Sequence, residues 1–543
     1  MKKIVAMIIT LVMALLAFMP MAAWAESLPE TEEVSLIPVR QYFEQIGASV
    51  IWDSGSRSIH ITIESDSIIL YVGQRSAYVN GNAVVLETGV KIMQSTAFVS
   101  IDDLMLLAFA LLPFDVQTFY LTEEARDLAL DDFDYMVDLI LGNSPWASVI
   151  YRRLGIVFAD HIAENRSAIE NMVPRNFPVI PEAFPIRDCD EPRSIAANYL
   201  ISKLFFDFAL PLEGIGHIGP RDLSLYRMQL SAFQRQYHDE YLDSENNLVL
   251  SLVLDVFTDP AAVWFYGEYE IDLNNIEAHP FPDVPGNIVT EIIIPDQVAY
   301  LSIKSFLANP EFDDVTIFPF LQEVKDFDHL ILDLRGNMGG IASYFDEFIL
   351  RRLISEPLEI GSHEFFSAGE VASEWMEAML QTTLQAEPIV DWVELLYITV
   401  MPAEEFIAER GMVYFNQDDL ASLDYAVVSR AILHPSEDSI GFTGKVWLLV
   451  DGESASASSL ATLVALETGF ATVVGENTSG VMGSSHTYSV LPNTGIIWRL
   501  DIGYVTDAYG RSLEEYGIAP QIRNRPGLDA LETVLALIAE GNY

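Results

Sequence analysis

Between Val446 and Val464 the chain reads as a buried strand, an Asp451-Gly452 turn, a run of small residues containing Ser454, Ser456, Ser458 and Ser459, and then a helix with Leu460, Leu463 and Val464 at core spacing. A serine at a helix N-terminus meets free backbone N–H groups and the positive end of the helix dipole, and both stabilise developing negative charge. Acyl transfer needs that combination of a hydroxyl nucleophile and donors aimed at the future oxyanion. The same serines also suit plain helix capping, so this segment alone leaves both roles open. A second candidate is Leu330-Ile-Leu-Asp-Leu-Arg-Gly-Asn-Met-Gly-Gly340, a strand running into a glycine turn whose N–H groups can face a ligand. It is neither a Gly-x4-Gly-Lys-Ser/Thr phosphate loop nor a dinucleotide fingerprint, which argues against nucleotide binding.

The elements that must position these residues are those of an α/β layer. Val298–Ile303, Leu330–Leu334, Val446–Val450 and Ala471–Val474 are short apolar runs suited to buried strands, and helical stretches alternate with them. The stretch 355–440 is longer than one crossover requires and is expected to form an inserted cap or lid. Upstream, residues 121–285 turn helical: Thr122 offers an N-cap ahead of Glu123 and Glu124, Ala196–Leu210 carries an apolar stripe, and Pro174 to Pro192 is a Pro-rich connection. Residues 34–110 read as a small β-rich unit. There Ser58–Ile63 alternates with period two, Asn80-Gly81 is a strong hairpin signal, Val50–Asp53 suits a strand, and Pro38–Ile46 suits a short helix.

Composition bounds the function. The 543 residues hold 29 Lys+Arg against 79 Asp+Glu, a net charge of −50, so little could neutralise nucleic-acid phosphates or an acidic lipid surface. Half the residues are hydrophobic, enough for packed cores and too many for a disordered acidic chain. Lys2 and Lys3, the apolar run Ile4–Ala17, Pro20 and Ala23-Trp-Ala25 have the order of a secretory signal peptide over 1–25, with an uncleaved anchor as the other reading. No later segment reads as long and apolar enough to span a bilayer. Cys189 is the single cysteine, which excludes an internal disulfide. The mature protein is therefore expected outside the cell, possessing no staples.

Two resemblances rest on motifs. The Pro38/Arg40 start, Ile46-Gly47-Ala48, Trp52-Asp53 and Val79-Asn80-Gly81 resemble the copper amine oxidase-like N-terminal domain of secreted bacterial proteins. His60 is the only histidine in that unit, and one imidazole makes no copper site; it reads as a solvent-facing strand residue. The unit is expected to act as a stalk or attachment module for a cell-wall or surface component. Asp333-Leu-Arg-Gly-Asn337 with Gly339-Gly340, Ser454-Ala-Ser-Ala-Ser458, Gly475-Glu-Asn-Thr-Ser-Gly480, Leu491-Pro-Asn-Thr-Gly495 and Glu514-Glu-Tyr-Gly-Ile-Ala-Pro520 resemble the C-terminal processing (tail-specific) serine peptidases, relatives of the tricorn core and the interphotoreceptor retinoid-binding protein. The resemblance runs from about Val298 to Ile522. It implies a crotonase/ClpP-like α/β core over 286–536, a helical N-terminal part over 121–285, a polypeptide substrate, and neither cofactor nor metal. It also makes Ser456 the nucleophile, with oxyanion donors from Ala457 and from Gly339 or Gly340.

The base separates two branches of that family. In the Ser/Lys branch a lysine lies 25 residues beyond the serine; here that position is Val481, and no lysine follows Lys445. In the tricorn-like branch the base is an upstream histidine, which Gly214-Ile-Gly-His-Ile-Gly219 resembles, and a glutamate near the C-terminal Gly-x-x-Pro motif assists it. His217 and Glu514 thereby become the implied base and its orienting carboxylate, a chemically coherent relay. His486 is the rival base, and Glu515 is the neighbour against which Glu514 is to be compared. Gly216, Ser459, Val481 and Gln521 depart from the family pattern and motivate a second reading, a peptide- or cell-wall-binding protein with impaired turnover. No PDZ-like pattern lies between Gly219 and Val298, so C-terminal specificity is not implied.

Overall fold

A computed structural model describes residues 116–178, 191–212, 215–216, 218–238, 248–267, 283–385, 392–481 and 485–541. It also describes 184–185, 187 and, nearer the start, 36–40, 43, 48–53, 56–63, 66–72, 74, 76–86, 89–93, 96–100 and 107. The expected signal peptide and most of the helix expected over 38–46 lie outside the described residues. The chain divides into two units, one of residues 1–119 with 175–181 and the other of 120–174 with 182–543.

In the first unit a five-stranded antiparallel meander runs through Ser49–Asp53, Ser58–Ile63, Asp66–Tyr71, Ser76–Val79 and Asn82–Val85. Ile59, Ile61 and Ile63 face the core while Thr62 faces solvent, as the period-two reading requires. Val79 pairs with Asn82 across Asn80-Gly81, both with positive φ (51° and 81°), the two-residue turn that matches strand twist. His60 is half-buried, and its Nε2 lies 2.8 Å from Ser58 Oγ. Arg175–Pro178 forms a strand antiparallel to Val116–Phe119, so the Pro-rich connection expected over 174–192 contains sheet. Pro178 is tolerated because it ends a strand of a two-stranded ribbon.

The helices in the first part of the second unit include α1 (Glu123–Asn143), α2 (Ala147–Leu154) and α3 (Pro192–Lys203), with Phe158–Glu170 also helical between the last two. Thr122 Oγ1 caps α1 by accepting the Ala125 N–H at 3.2 Å. α3 continues through a π turn, Leu204–Ala209, and a short 3-10 turn to Leu212. By length and apolar composition Pro192–Leu212 could cross a bilayer, a correction to the sequence reading. Ala196, Ala197, Leu200, Ile201, Leu204 and Phe208 are nevertheless buried in the fold, as in the core helix of a globular protein.

The core of this unit is a six-stranded sheet. Its strands are β1 (Ile288–Ile294), β2 (Val298–Ile303), β3 (His329–Asp333), β4 (Lys445–Val450), β5 (Thr472–Gly475) and β6 (Ile522–Arg523), in that spatial order. β1 is antiparallel to β2 and every other pair is parallel. Crossover helices α4 (Pro310–Glu323) and α5 (Ala457–Thr468) pack on one face through Ile317, Leu321, Ala461 and Ala465, against Leu301, Leu332, Leu448 and Val473. The opposite face, with Val298, Ile331, Trp447, Leu449 and Val474, is covered by Ala530, Val534 and Leu537 of α7 (Ala530–Glu540), which follows the short α6 (Leu513–Tyr516). Alternate residues of each strand thus feed two helix layers, which is why these strands read as unbroken apolar runs. This is the crotonase/ClpP-like α/β core with a helical preceding part.

Within 355–440 the chain builds an antiparallel sheet of Val393–Pro402, Tyr425–Leu433 and Leu358–Phe366, joined at its edge by Gly503–Tyr504. A further three-stranded sheet sets Gly219–Pro220 and His486–Val490 on either side of Ile497–Asp501.

Candidate active site

Parallel α/β sheets gather ligands at the carboxyl ends of their strands, and both glycine- and serine-rich turns lie there. The turn after β3 is stitched to the turn after β4. Leu334 donates its N–H to Leu449 O at 2.9 Å, Gly336 to Asp451 Oδ1 at 3.0 Å, and Ala455 donates back to Asn337 O at 3.0 Å. Ser454 Oγ donates to Leu334 O at 2.8 Å. Asn337, fully buried, donates from Nδ2 to Ile303 O and accepts the Gly339 N–H at 2.8 Å. Asp333 accepts the Tyr300 hydroxyl at 2.6 Å and pairs with Arg335 at 2.7 Å. These motif residues therefore form a rigid cradle.

Ser456 sits at the N-cap of α5 with φ 52° and ψ −123°. A non-glycine residue in that region carries strain on the order of 1–3 kcal/mol, which the surroundings must hold in place. Here the Ser456 N–H donates to Val481 O at 2.5 Å. A methyl group on Gly339 would lie 2.7 Å from Ser456 Cβ and 2.8 Å from Ala457 N, so the glycine turn touches the serine turn directly. Gly339 already gives its N–H to Asn337. Among the described residues no acceptor takes the N–H of Gly340 or that of Ala457, the first residue of α5.

Glu514, on α6, is fully buried, and its Oε2 accepts the backbone N–H of Gly216 at 3.1 Å. His217 itself lies outside the described residues. Its flanks are placed: Gly216 against Glu514, and Gly219–Pro220 in register with Arg499 and Trp498. A side chain at Gly216 would come 2.8 Å from Asp501 Oδ2, so a larger residue there would crowd that carboxylate. His486 begins its strand opposite Asp501, with its ring edge-on to Tyr488. Glu515 instead pairs with Arg152 at 2.8 Å. The other departures are absorbed locally. Ser459 Oγ donates to Ser454 O at 3.3 Å, and Gln521 Oε1 accepts the Val473 N–H at 2.9 Å.

Residues 297–524 match peptidase family S41, and residues 27–105 match the copper amine oxidase N-terminal domain. The unit built on the six-stranded sheet is similar to peptidase family S41 over residues 297–524. The peptidase region is thus that of a serine-type hydrolase acting on polypeptides. No curated protein matches the sequence. Similar solved structures include mature CPAF complexed with lactacystin, 12% identical, covering 77% of this chain and 99% of that one with a TM-score of 0.39. The photosystem II D1 C-terminal processing protease is 16% identical, with coverage of 48% and 50% and a TM-score of 0.27. The tricorn protease is 12% identical, with coverage of 91% and 41% and a TM-score of 0.27.

Sequence reasoning missed several charged residues around the peptidase site. Arg153 of α2 donates to Glu514 O and Ser479 O. Burial lowers its pKa, against the pull of Glu514 and Glu515. Asp419, in the 355–440 segment and fully buried, accepts from Arg152 at 2.7 Å, from the Tyr504 hydroxyl at 2.5 Å and from Ser148. Glu364 accepts both the N–H and the hydroxyl of Ser485 at 2.6 Å, and burial pushes its pKa up to about 7. One signal was available: in a chain so short of cations, Arg152-Arg153 is a conspicuous pair. Among the described residues no group of three metal-ligating side chains occurs.

Proposed function

We propose that the protein is an exported serine endopeptidase in which Ser456 forms an acyl-enzyme and His217 is the base. One observation carries the reading, the hydrogen bond from the Gly216 N–H to Glu514 Oε2 across 298 residues of chain. It joins the carboxylate to the neighbour of the imidazole that the family pattern nominates. The imidazole takes the Ser456 proton as the hydroxyl attacks a peptide carbonyl and returns it to the leaving amine. Water, activated by the same imidazole, then releases the acyl product. Glu514 holds the ring in one tautomer and stabilises its charged form. The N–H groups of Ala457 and Gly340 serve the tetrahedral oxyanion, while Gly339 shapes the contact. Residues 1–25 direct export, and the N-terminal unit attaches the enzyme to a cell-wall or surface component.

Ser456→Ala should abolish hydrolysis of an unfolded protein such as casein while leaving thermal stability close to the parent. A fluorophosphonate reagent should label Ser456, and labelling of another residue overturns the assignment. His217→Ala should cost about as much as Ser456→Ala, because a base and its nucleophile act as a unit. Retained turnover there, with loss in His486→Ala, would transfer the role of base to His486.

A further inference from the structure

Resting on that reading, we infer that Arg153 is a positioning residue that locks the two halves of the catalytic apparatus together. Arg153 lies in the last turn of α2, more than three hundred residues before its partners. One guanidinium nitrogen donates to the carbonyl of Glu514 and the other to the carbonyl of Ser479. Each carbonyl belongs to a different arm of the site. Glu514 carries the carboxylate that meets Gly216. Ser479 opens the short segment in which Val481 accepts the Ser456 N–H, and Ser479 Oγ in turn accepts the Val481 N–H at 3.1 Å. The Ser479 N–H also reaches Ser454 O at 3.0 Å. A single planar cation therefore sets the distance between the backbone that holds the nucleophile and the backbone that holds the carboxylate.

The geometry needs arginine. Two parallel donors on a rigid fork can hold two carbonyls at once, whereas an ammonium is a point donor on a flexible stem. The packing around the fork is also closed. A methyl group on Gly480 (φ +93°) would lie 2.5 Å from Glu514 O and 2.7 Å from the Arg153 nitrogen, so only glycine lets the two arms approach. Arg152 points to a different task, the Asp419 and Glu515 carboxylates. Arg153 touches neither a reacting atom nor a side-chain carboxylate in this network; it acts through the backbone of the residues that do.

The test uses the full-length protein with Arg153→Met, Arg153→Lys and Gly480→Ala, the last to push the fork off Glu514 by crowding. Displacement of reacting groups by about 1 Å can cost on the order of a hundredfold in rate. Arg153→Met and Gly480→Ala should therefore lower kcat by that order with KM little changed, and should slow phosphonate labelling of Ser456 in proportion. Arg153→Lys should fall between them and the parent. Millimolar guanidinium ion should restore part of the Arg153→Met rate and none of the Gly480→Ala rate. If Arg153→Met fails to fold, the other two variants still decide. Parent-level kcat and labelling in Arg153→Lys and Gly480→Ala overturn the inference, as does a loss confined to KM. If Ser456→Ala itself hydrolyses substrate, the reading beneath falls; if Ser456→Ala is dead and Arg153 variants work normally, only this inference falls.

Discussion

Glu514 and Gly216, far apart in sequence, meet through a 3.1 Å hydrogen bond from backbone N–H to a carboxylate that no solvent reaches. Glu515, one residue on, turns the other way to Arg152. Adjacent residues of the same type thus have separable environments, and the site can be probed by comparing them. Glu514→Gln alters the buried carboxyl group that meets Gly216 and should lower kcat roughly 10³–10⁴-fold if that group orients the imidazole. Glu515→Gln should lose only a part-exposed ion pair worth about 1 kcal/mol or less. Peptidase assays on the two variants check this, and equal losses would contradict the assignment.

Gly339 is the second test. A methyl group there would fall within 2.8 Å of Ala455 O, Ser456 Cβ and Ala457 N, and its φ is +92°. None of these atoms is the end of a flexible side chain. Gly339→Ala should cost on the order of 1–3 kcal/mol in backbone strain alone, and should lower hydrolysis on the order of a hundredfold or more by shifting Ser456. Denaturant unfolding and casein digestion measure the two effects separately.

Asp419 should matter for stability more than for chemistry. Its buried carboxylate answers Arg152, Tyr504 and Ser148. Removing it takes one of two counter-charges from the part-exposed Arg152 guanidinium and leaves the buried Tyr504 hydroxyl without its acceptor, so Asp419→Ala should lose about 1–3 kcal/mol in unfolding free energy. A loss below about 1 kcal/mol would show that this junction is surface-like in its energetics.

Glu364 sets a pH dependence. Its pKa rises from the ordinary 4.5 to about 7 on folding, because burial disfavours the carboxylate despite two bonds from Ser485. The folded state therefore binds this proton more tightly than the unfolded chain does. The stabilisation is complete below about pH 4.5 and disappears as pH rises through about 7. The melting temperature of the parent relative to Glu364→Gln should fall across that interval and level off above it. A difference independent of pH between 4.5 and 8 would refute the assignment.

Much of the fold could be read locally because its signals are local. The strand expected at Val298–Ile303 has those bounds, and the one expected at Leu330–Leu334 is shifted by a single residue. The Asn80-Gly81 turn and the Thr122 cap also follow from two or three neighbouring residues. The sequence reading found no later segment that could span a bilayer, yet Pro192–Leu212 has the length and composition to do so, because a mostly buried core helix shares the apolar composition of a membrane span. The candidate site was legible only where a motif carried it, as at Ser456, Gly339 and Glu514. The contacts of Arg153 and Asp419 could not be read because their partners lie hundreds of residues away and only folding brings them together. Val481 shows the limit from the other side. Its missing lysine was evident, but its backbone contact with Ser456 was not.

The pairing of Arg175–Pro178 with Val116–Phe119 has a practical consequence for anyone dividing the gene. The N-terminal unit takes residues 175–181 back from the far side of α1 and α2, so no single cut separates it cleanly. A fragment stopping at 119 lacks its closing partner, while one starting at 120 carries an orphaned edge whose open N–H and C=O groups invite self-association. An autonomous version would have to splice 175–181 onto residue 119 through a short engineered loop.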